Sequence, residues 1–311
     1  MAHREEILIQ AEEAFRKVRG SGKYGFFYGD KKDDDCEVLF ATVQTLGKSE
    51  YLCDKWFPKD YFDYIVVDEF HHAAADTYKR IIRYFTPEFL LGLTATPDRL
   101  DDKNIYEICD FNVVYDVRLK AAVNKGWLVP FRYYGIYDCT VNYDNISYVH
   151  GKYDEEELEK ELMIPQRGDL VYHNYSKYNC KRALAFCSTK KHAEYMAEFF
   201  QNRGVKAAAV YSGTDGEYNL DRREALEKLR DGRLQIIFSV DMFNEGLDVK
   251  NIDMVLFLRP TQSPTVFLQQ LGRGLRTAEG QSYLTVMDFI GTYTKANLLP
   301  FLLSGEKYQK Q

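Results

Sequence analysis

Short apolar segments alternate with helical segments along most of the chain, and this alternation restricts the fold more than any other feature. Residues 64–67 and 183–187 have the length and apolar character of buried strands, whereas 5–18 repeats its apolar residues at helical spacing. Strands that alternate with helices form parallel sheets with helices on both faces. The sequence therefore predicts an α/β fold built on parallel sheets.

The predicted elements fall into two groups, as expected for a chain of 311 residues, which is long enough for about two domains. Predicted strands are 38–42, 64–67, 89–93, 183–187, 207–211, 234–238, 254–258 and 283–287. Predicted helices are 5–18, 73–84, 190–202, 217–230 and 264–271.

These groups define a first lobe at 1–116, a connector at 117–167, a second lobe at 168–290 and a tail at 291–311. We expect the second lobe to fold alone. The connector contains a mixed strand at 131–137 and an acidic run at 154–161, for which a solvated helix is favoured over a regulatory site.

The composition excludes several classes of protein. A net charge of −6 argues against a protein that binds nucleic acid over its whole surface, but it allows a local basic groove. The six cysteines form no CxxC pair and no cysteine–histidine ligand spacing, which predicts free thiols in the cytoplasm. No apolar run reaches the roughly 18 residues of a membrane span, so no membrane partner is predicted.

An acidic pair after the strand 64–67 gives the strongest sign of chemistry in the first lobe. Asp68 and Glu69 are unfavourable at the mouth of a buried strand unless positive charge faces them, and Mg²⁺ with a nucleotide supplies it. In nucleotide hydrolases such an Asp holds Mg²⁺, and the next Glu orients or deprotonates water. The alternative is a helix-capping junction. Thr94 and Thr96 end the next strand and can link the acids to the opposite lobe by hydrogen bonds.

Two segments of the second half carry similar signals. After the strand 234–238, Ser239 lies at a predicted helix N-terminus, which suits a phosphate of a nucleic-acid backbone. Further on, Arg273 and Arg276 are three residues apart on a predicted helix and so share a face, which suits the charge that develops on a γ-phosphate. The alternatives are an ordinary strand–loop–helix turn and a solvated basic helix end.

In this order the motifs resemble those of superfamily 2 helicases and translocases with a DEAD/DEAH-like acidic motif, and most closely members related to type III restriction subunits. The resemblance covers nearly the whole chain, through segments 3–8, 41–46, 68–71, 94–96, 186–190, 239–248 and 269–276. It implies two RecA-like parallel-sheet lobes that use ATP and Mg²⁺ and act on DNA or RNA, with DNA favoured.

The resemblance also implies a role for each motif residue. Asp68 would hold Mg²⁺, Glu69 would position water, and Arg273 and Arg276 would be arginine fingers. Further nucleotide contacts would come from Gly246, Asp248 and Gln269, coupling between the lobes from His71, Thr94 and Thr96, and nucleic-acid contacts from Arg4, Thr42, Gln44, Ser188, Lys190 and Ser239.

The phosphate-binding loop of that family, GxxxxGK(S/T), is missing from these 311 residues. The nearest string, 20–24, follows a helix and has Tyr24 in place of the Mg²⁺-binding hydroxyl, so we interpret it as a helix C-cap and turn. We therefore expect an incomplete first lobe with an exposed strand edge, in a fragment of a longer enzyme. The alternative to an ATP-driven motor is a non-hydrolysing nucleic-acid-binding or scaffold fragment. A kinase-like nucleotide hydrolase is disfavoured.

Overall fold

The computed structural model describes residues 1–96, 105–149, 152–243, 252–260, 264–277 and 282–290. The chain divides into two compact units, Met1–Asp116 and Val117–Gln311. Both units combine short strands with helices, which confirms the predicted α/β class. All six cysteines are free thiols, as predicted. Among the described helices, none has the length and apolar character needed to cross a bilayer.

The described part of the first unit forms two small sheets. Its elements are α1 (Glu5–Arg19), β1 (Tyr24–Tyr28), β2 (Lys31–Lys32), β3 (Val38–Ala41), α2 (Val43–Leu46), β4 (Tyr64–Val67), α3 (Asp76–Tyr84) and β5 (Phe89–Gly92). Strand β1 pairs antiparallel with β2 and parallel with β3, while β4 and β5 form a separate parallel pair.

The N-terminal residues lie between these two sheets. The Ala2 N–H donates to the carbonyl of Ala41, the last residue of β3 (3.2 Å), and the Met1 carbonyl accepts from the N–H of Asp68, directly after β4 (2.9 Å). The first two residues therefore hydrogen-bond to both neighbours, as a short central strand would.

One face of the β4–β5 pair is open. Ile65 and Val67 are buried, whereas Tyr64, Val66 and Phe89 are 68%, 40% and 45% exposed. The predicted cover of helices on both faces is thus absent from this sheet in the described residues.

The second unit is organised around one six-stranded parallel sheet. Its elements are α4 (Leu119–Asn124), β6 (Phe131–Tyr137), β7 (Tyr148–Val149), β8 (Lys152–Tyr153), α5 (Glu155–Leu162), α6 (Pro165–Ser176), β9 (Ala183–Phe186), α7 (Lys190–Gln201), β10 (Ala207–Val210), α8 (Arg222–Arg230), β11 (Ile236–Ser239), β12 (Met254–Phe257), α9 (Pro264–Gly274) and β13 (Leu284–Ile290). The strand order is β10-β11-β9-β12-β13-β6.

Apolar clusters cover both faces of this sheet. Helices α6 and α7 pack on one face and α8 and α9 on the other. Strand β6, which the sequence assigned to the connector, pairs with β13 along its whole length. The segment 117–167 therefore contributes an edge strand to the sheet.

Several predicted boundaries need correction. The helix predicted at 217–230 begins at Arg222 because Leu220 donates its N–H to the carbonyl of Ala209 and Asp221 then caps the helix. The helix predicted at 73–84 begins at Asp76, after a 3₁₀ turn at Phe70–His72. Strand β1 was not predicted.

Two interpretations of polar segments are confirmed. Gly20 ends α1 with a φ of +78° and donates its N–H to the carbonyl of Arg16, so the string 20–24 is a cap and turn. The acidic run forms α5, which is capped by Asp154 and buries Leu158 and Leu162. It is a solvated helix with one apolar side.

Candidate active site

A sharp turn follows β4 at the acidic pair. Glu69 adopts the left-handed conformation (φ +52°, ψ +49°), and its N–H donates to Asp68 Oδ1 at 2.9 Å. Such a conformation costs on the order of 1–3 kcal/mol outside glycine and is kept only where the surroundings fix it. Asp68 uses one carboxylate oxygen to hold the turn, and its other oxygen has no hydrogen-bond partner among the described residues.

The acidic pair and the predicted hydroxyl residues form one cluster. Buried His71 places Nδ1 at 3.3 Å from Glu69 Oε2 and at 3.0 Å from Thr94 Oγ1. Thr94 Oγ1 also accepts the Thr96 N–H at 3.1 Å. The structure therefore brings together residues 68, 69, 71, 94 and 96, which the sequence assigned to the nucleotide site and to coupling between the lobes.

Parallel pairing explains why these residues meet. Strands β4 and β5 end at the same edge, and ligands of parallel α/β sheets bind outside the carboxyl ends of the strands. The Phe70 N–H donates to the carbonyl of Leu93 at 2.8 Å, and the Phe70 ring lies against Gly92 so closely that any β-carbon there would overlap it.

The free oxygen of Asp68 fits a magnesium ion that a nucleotide also holds. Mg²⁺ is commonly bound by one or two carboxylates together with substrate phosphates. The described residues contain no cluster of three or more acidic, histidine or cysteine ligands. Beside Asp68 lies the buried amino group of Met1. Its pKa is lowered to about 6 by burial, against the attraction of the Asp68 carboxylate.

The predicted nucleic-acid contacts of the first unit differ in exposure. Gln44 is exposed on α2, and its Nε2 donates to the carbonyl of His3 at 3.1 Å, which brings it near Arg4 at the start of α1. Thr42 is buried, and its hydroxyl donates to Thr45 Oγ1 at 2.9 Å. Arg4 and Gln44 can reach a ligand at the surface, whereas the Thr42 hydroxyl is engaged inside.

In the second unit, Ser188 and Lys190 lie where β9 leads into α7. Lys190 is exposed and its ammonium group lies 5.5 Å from the ring centroid of Tyr211. The Ser188 hydroxyl is buried and has no hydrogen-bond partner in the described residues.

The segment after β11 differs from the prediction. Ser239 is fully buried and its hydroxyl donates to the carbonyl of Ala185 at 3.3 Å, so it faces the neighbouring strand instead of a surface phosphate. Residues 240–243 form bends, and no helix begins there. Gly246 and Asp248 lie outside the described residues.

The two arginines do not share one helix face, contrary to the prediction. Arg273 lies in α9, and its side chain is outside the described part. Helix α9 ends at Gly274, and Arg276 follows in an extended bridge to Leu128. Gln269, on α9, is buried.

A buried ionic network beside Ser188 was missed. Arg167 donates to Asp138 Oδ2 (2.9 Å) and to the carbonyl of Leu258 (2.8 Å), and its Nη1 lies 3.1 Å from His192 Nε2. Burial and the Arg167 charge lower the pKa of His192 well below its usual value. The four residues come from distant segments, so no local sequence pattern signals the network.

Two family models match the chain. "Type III restriction enzyme, res subunit" covers residues 1–99, and "Helicase conserved C-terminal domain" covers residues 166–278. The Saccharomyces cerevisiae protein "Putative ATP-dependent helicase IRC3" is 24% identical over 303 residues, which are 94% of this chain and 43% of that protein. This chain spans about half the length of the curated relatives that it matches.

Solved structures show the same fold. The fragment structure of a "putative HsdR subunit" of a type I restriction enzyme from Vibrio vulnificus has a TM-score of 0.66 at 24% identity, over 88% of this chain and 51% of that one. Dbp5 from S. cerevisiae, bound to RNA and ADP BeF3, has a TM-score of 0.62 at 14% identity, over 98% of this chain and 73% of that one. These neighbours are RecA-like helicase domains, which confirms the predicted fold.

Proposed function

Since the chain belongs to the superfamily 2 helicases related to type III restriction subunits, we propose that it forms the core of an ATP-driven motor that acts on nucleic acid, with DNA favoured over RNA. The observation that carries this proposal is the cluster of Asp68, Glu69, His71 and Thr94 at the carboxyl ends of β4 and β5. A strand-end acidic pair in which a buried histidine contacts the glutamate is suited to nucleotide hydrolysis.

Each member of the cluster has a distinct task in this proposal. The free oxygen of Asp68 would hold Mg²⁺, and that ion would neutralise charge on the nucleotide phosphates. Glu69 positions the attacking water, and His71 fixes Glu69 by bridging it to Thr94. Thr94 and Thr96, together with His71, would couple the nucleotide site to the other lobe. Arg273 and Arg276 would stabilise the transferring phosphoryl group, with Gln269, Gly246 and Asp248 as further nucleotide contacts.

The nucleic acid would be held through its phosphates by surface groups. In this proposal Arg4, Gln44 and Lys190 make the side-chain contacts, because their side chains can reach the surface. Thr42, Ser188 and Ser239 would act through their backbone or after a rearrangement, since their hydroxyls are buried.

A second candidate function is nucleic-acid binding without hydrolysis. It is favoured by one observation, the absence of a GxxxxGK(S/T) string from the 311 residues. Such a chain would bind a strand through the same surface groups but would not turn over ATP.

Steady-state ATP hydrolysis with and without single-stranded DNA separates these functions. If these residues hydrolyse ATP as the core of a motor, DNA should stimulate turnover, and Glu69→Gln should lower it by about 100-fold or more, the loss typical of a removed general base. Glu88→Gln, at an exposed position of the same unit, is the matched control and should retain full turnover.

Two other outcomes would change the assignment. DNA binding without turnover in the unaltered chain supports the non-hydrolysing function. Turnover that survives Glu69→Gln contradicts the role given to Glu69.

A further inference from the structure

The first unit contains a groove that the proposed motor does not use. It is an open surface depression with a volume of about 580 Å³. The groove lies between α3 and the segment that follows α2. Its lining residues are Ser49, Leu52, Asp76, Lys79, Arg80, Arg83 and Tyr84.

Three cations of α3 line this groove. Lys79 and Arg83 are four residues apart, so they lie on the same helix face one turn from each other. Arg80 is anchored, because its Nη1 donates to the carbonyl of Gly47 at 3.0 Å. Within the part of the chain that the structure describes, neither Lys79 nor Arg83 has a carboxylate within 4.0 Å.

Acidic groups offset this charge only in part. Asp76 is the one carboxylate among the lining residues, and it lies in the first turn of α3, where the helix dipole stabilises it. Nearby Glu50 faces Lys48 at 4.0 Å. The pKa of the Tyr84 hydroxyl is raised mainly by burial and, to a smaller extent, by the negative charge of Asp54. The lining is therefore net positive in a chain whose net charge is −6.

The walls of the groove are fixed by packing. Helices α2 and α3 approach closely at Gly47, where a β-carbon would clash with the Thr77 side chain and the Val43 carbonyl. The Tyr84 hydroxyl donates to the carbonyl of Phe57 at 3.0 Å and holds one wall in place. A rigid site that gathers like charges without ion pairs is suited to an anionic ligand.

The groove also continues from a segment already assigned to strand binding. Helix α2 carries exposed Gln44, and the chain runs from its end at Leu46 directly into the wall residue Ser49. Lys48, between them, is exposed as well. Gln44 and the groove wall are therefore joined by a short stretch of chain, five residues from Gln44 to Ser49.

We propose that this groove is an additional contact for the phosphate backbone of a nucleic-acid strand, with Lys79 and Arg83 each neutralising a phosphate and Arg80 supporting the wall. The inference rests on the proposed function, since it names a further part of the same nucleic-acid path. Contacts of this kind fix the position of the strand and carry no base specificity.

The test is the salt dependence of binding to a fluorescently labelled single-stranded oligonucleotide, measured by anisotropy between about 50 and 200 mM salt. In the variant Lys79→Gln/Arg83→Gln, the slope of log K against log salt should become shallower by about 1.4, at about 0.7 per lost contact. Affinity at the lowest salt should fall about tenfold or more.

Two variants control this measurement. Lys17→Gln/Lys59→Gln removes the same charge from exposed positions of the same unit and should leave the slope unchanged. Lys79→Arg/Arg83→Lys keeps the charge and should restore the slope, which separates lost contacts from lost folding.

Each outcome is decisive. A shallower slope in the groove variant alone supports the proposal. An unchanged slope in the groove variant, with binding intact, contradicts the groove proposal but leaves the proposed function unaffected. If the unaltered chain shows no salt-dependent binding at all, the proposed function fails and the groove proposal fails with it.

Discussion

At the scale of single residues, Asp288 shows how strongly burial acts on a carboxylate in this fold. It lies within β13, has no exposed surface, and accepts a hydrogen bond from the Tyr133 hydroxyl at 2.7 Å. Its Oδ1 is buried without a partner in the described residues. Burial raises the pKa of Asp288 to about 6, although the Tyr133 hydrogen bond opposes the shift.

This raised pKa makes the stability of the second unit depend on pH. The folded state binds a proton that the unfolded state releases, so the favourable contribution of Asp288 is present below about pH 4 and is lost as pH rises through about 6. The unaltered protein loses this contribution between pH 4 and pH 7, whereas Asp288→Asn does not titrate. We therefore predict that the difference in unfolding free energy between the variant and the unaltered protein shifts in favour of the variant by about 3 kcal/mol over this range, which corresponds to a pKa shift of about two units.

Urea unfolding followed by the fluorescence of Trp127, in a Trp56→Phe background, reports on the second unit because the chain has only two tryptophans. Asp231→Asn, at an exposed site of the same unit, should show no such change with pH. A difference between Asp288→Asn and the unaltered protein that stays constant from pH 4 to 7 would contradict the prediction.

At the scale of elements, the junction of β4 and β5 depends on one close contact. A β-carbon at Gly92 would overlap the ring of Phe70, which lies between Glu69 and His71. We predict that Gly92→Ala lowers the unfolding free energy of the first unit by about 1–3 kcal/mol, the usual cost of overpacking a core. Adding Phe70→Leu should recover part of this loss because it removes the clashing ring atoms.

Denaturant unfolding of the single and double variants measures this coupling. Gly272→Ala, in α9 of the second unit, is a control for the substitution itself, since its β-carbon would meet no atom within 4 Å and its φ is not in the left-handed region. That change should be neutral or stabilising by up to about 1 kcal/mol, because alanine favours a helix more than glycine does. Strictly additive losses at 70 and 92 would disprove the contact.

Local sequence patterns predicted the boundaries of an element well where the burial of its apolar residues alone determines them. The strand predicted at 64–67 has the observed ends, and the predicted α/β fold is confirmed. The helix predicted at 217–230 starts late because Leu220 bonds to Ala209, a distant partner that helical periodicity cannot reveal. The tertiary hydrogen bond of Leu220 thus overrides the helix propensity of the residues before Arg222.

In the candidate site, too, local sequence patterns predicted some features, whereas tertiary contacts determine the others. The strand-end position of Asp68 and Glu69 was readable from the sequence, because an acidic pair directly follows an apolar run. The left-handed turn at Glu69 and the burial of the Thr42 and Ser239 hydroxyls could not be predicted from the sequence, since they depend on the tertiary structure around each residue.

At the scale of the whole molecule, the structure raises a question about where the second unit begins. The sequence suggested 168, whereas the compact unit starts at Val117 and includes β6. A chain that starts at 168 would lack β6, Arg167 and Asp138. It would expose one edge of β13 and leave the core under β6 open to water.

We predict that a fragment of residues 117–311 unfolds cooperatively and remains monomeric, whereas 168–311 aggregates or lacks a cooperative transition. An exposed edge strand is a template for pairing with other chains, and loss of β6 removes Phe131 and Tyr133 from the apolar cluster beside α8 and α9. Size-exclusion chromatography and urea unfolding of both fragments measure this. If 168–311 folds as cooperatively as 117–311, β6 is dispensable and the boundary suggested by the sequence is the correct one, because the core of β9 to β13 would then be sufficient for folding.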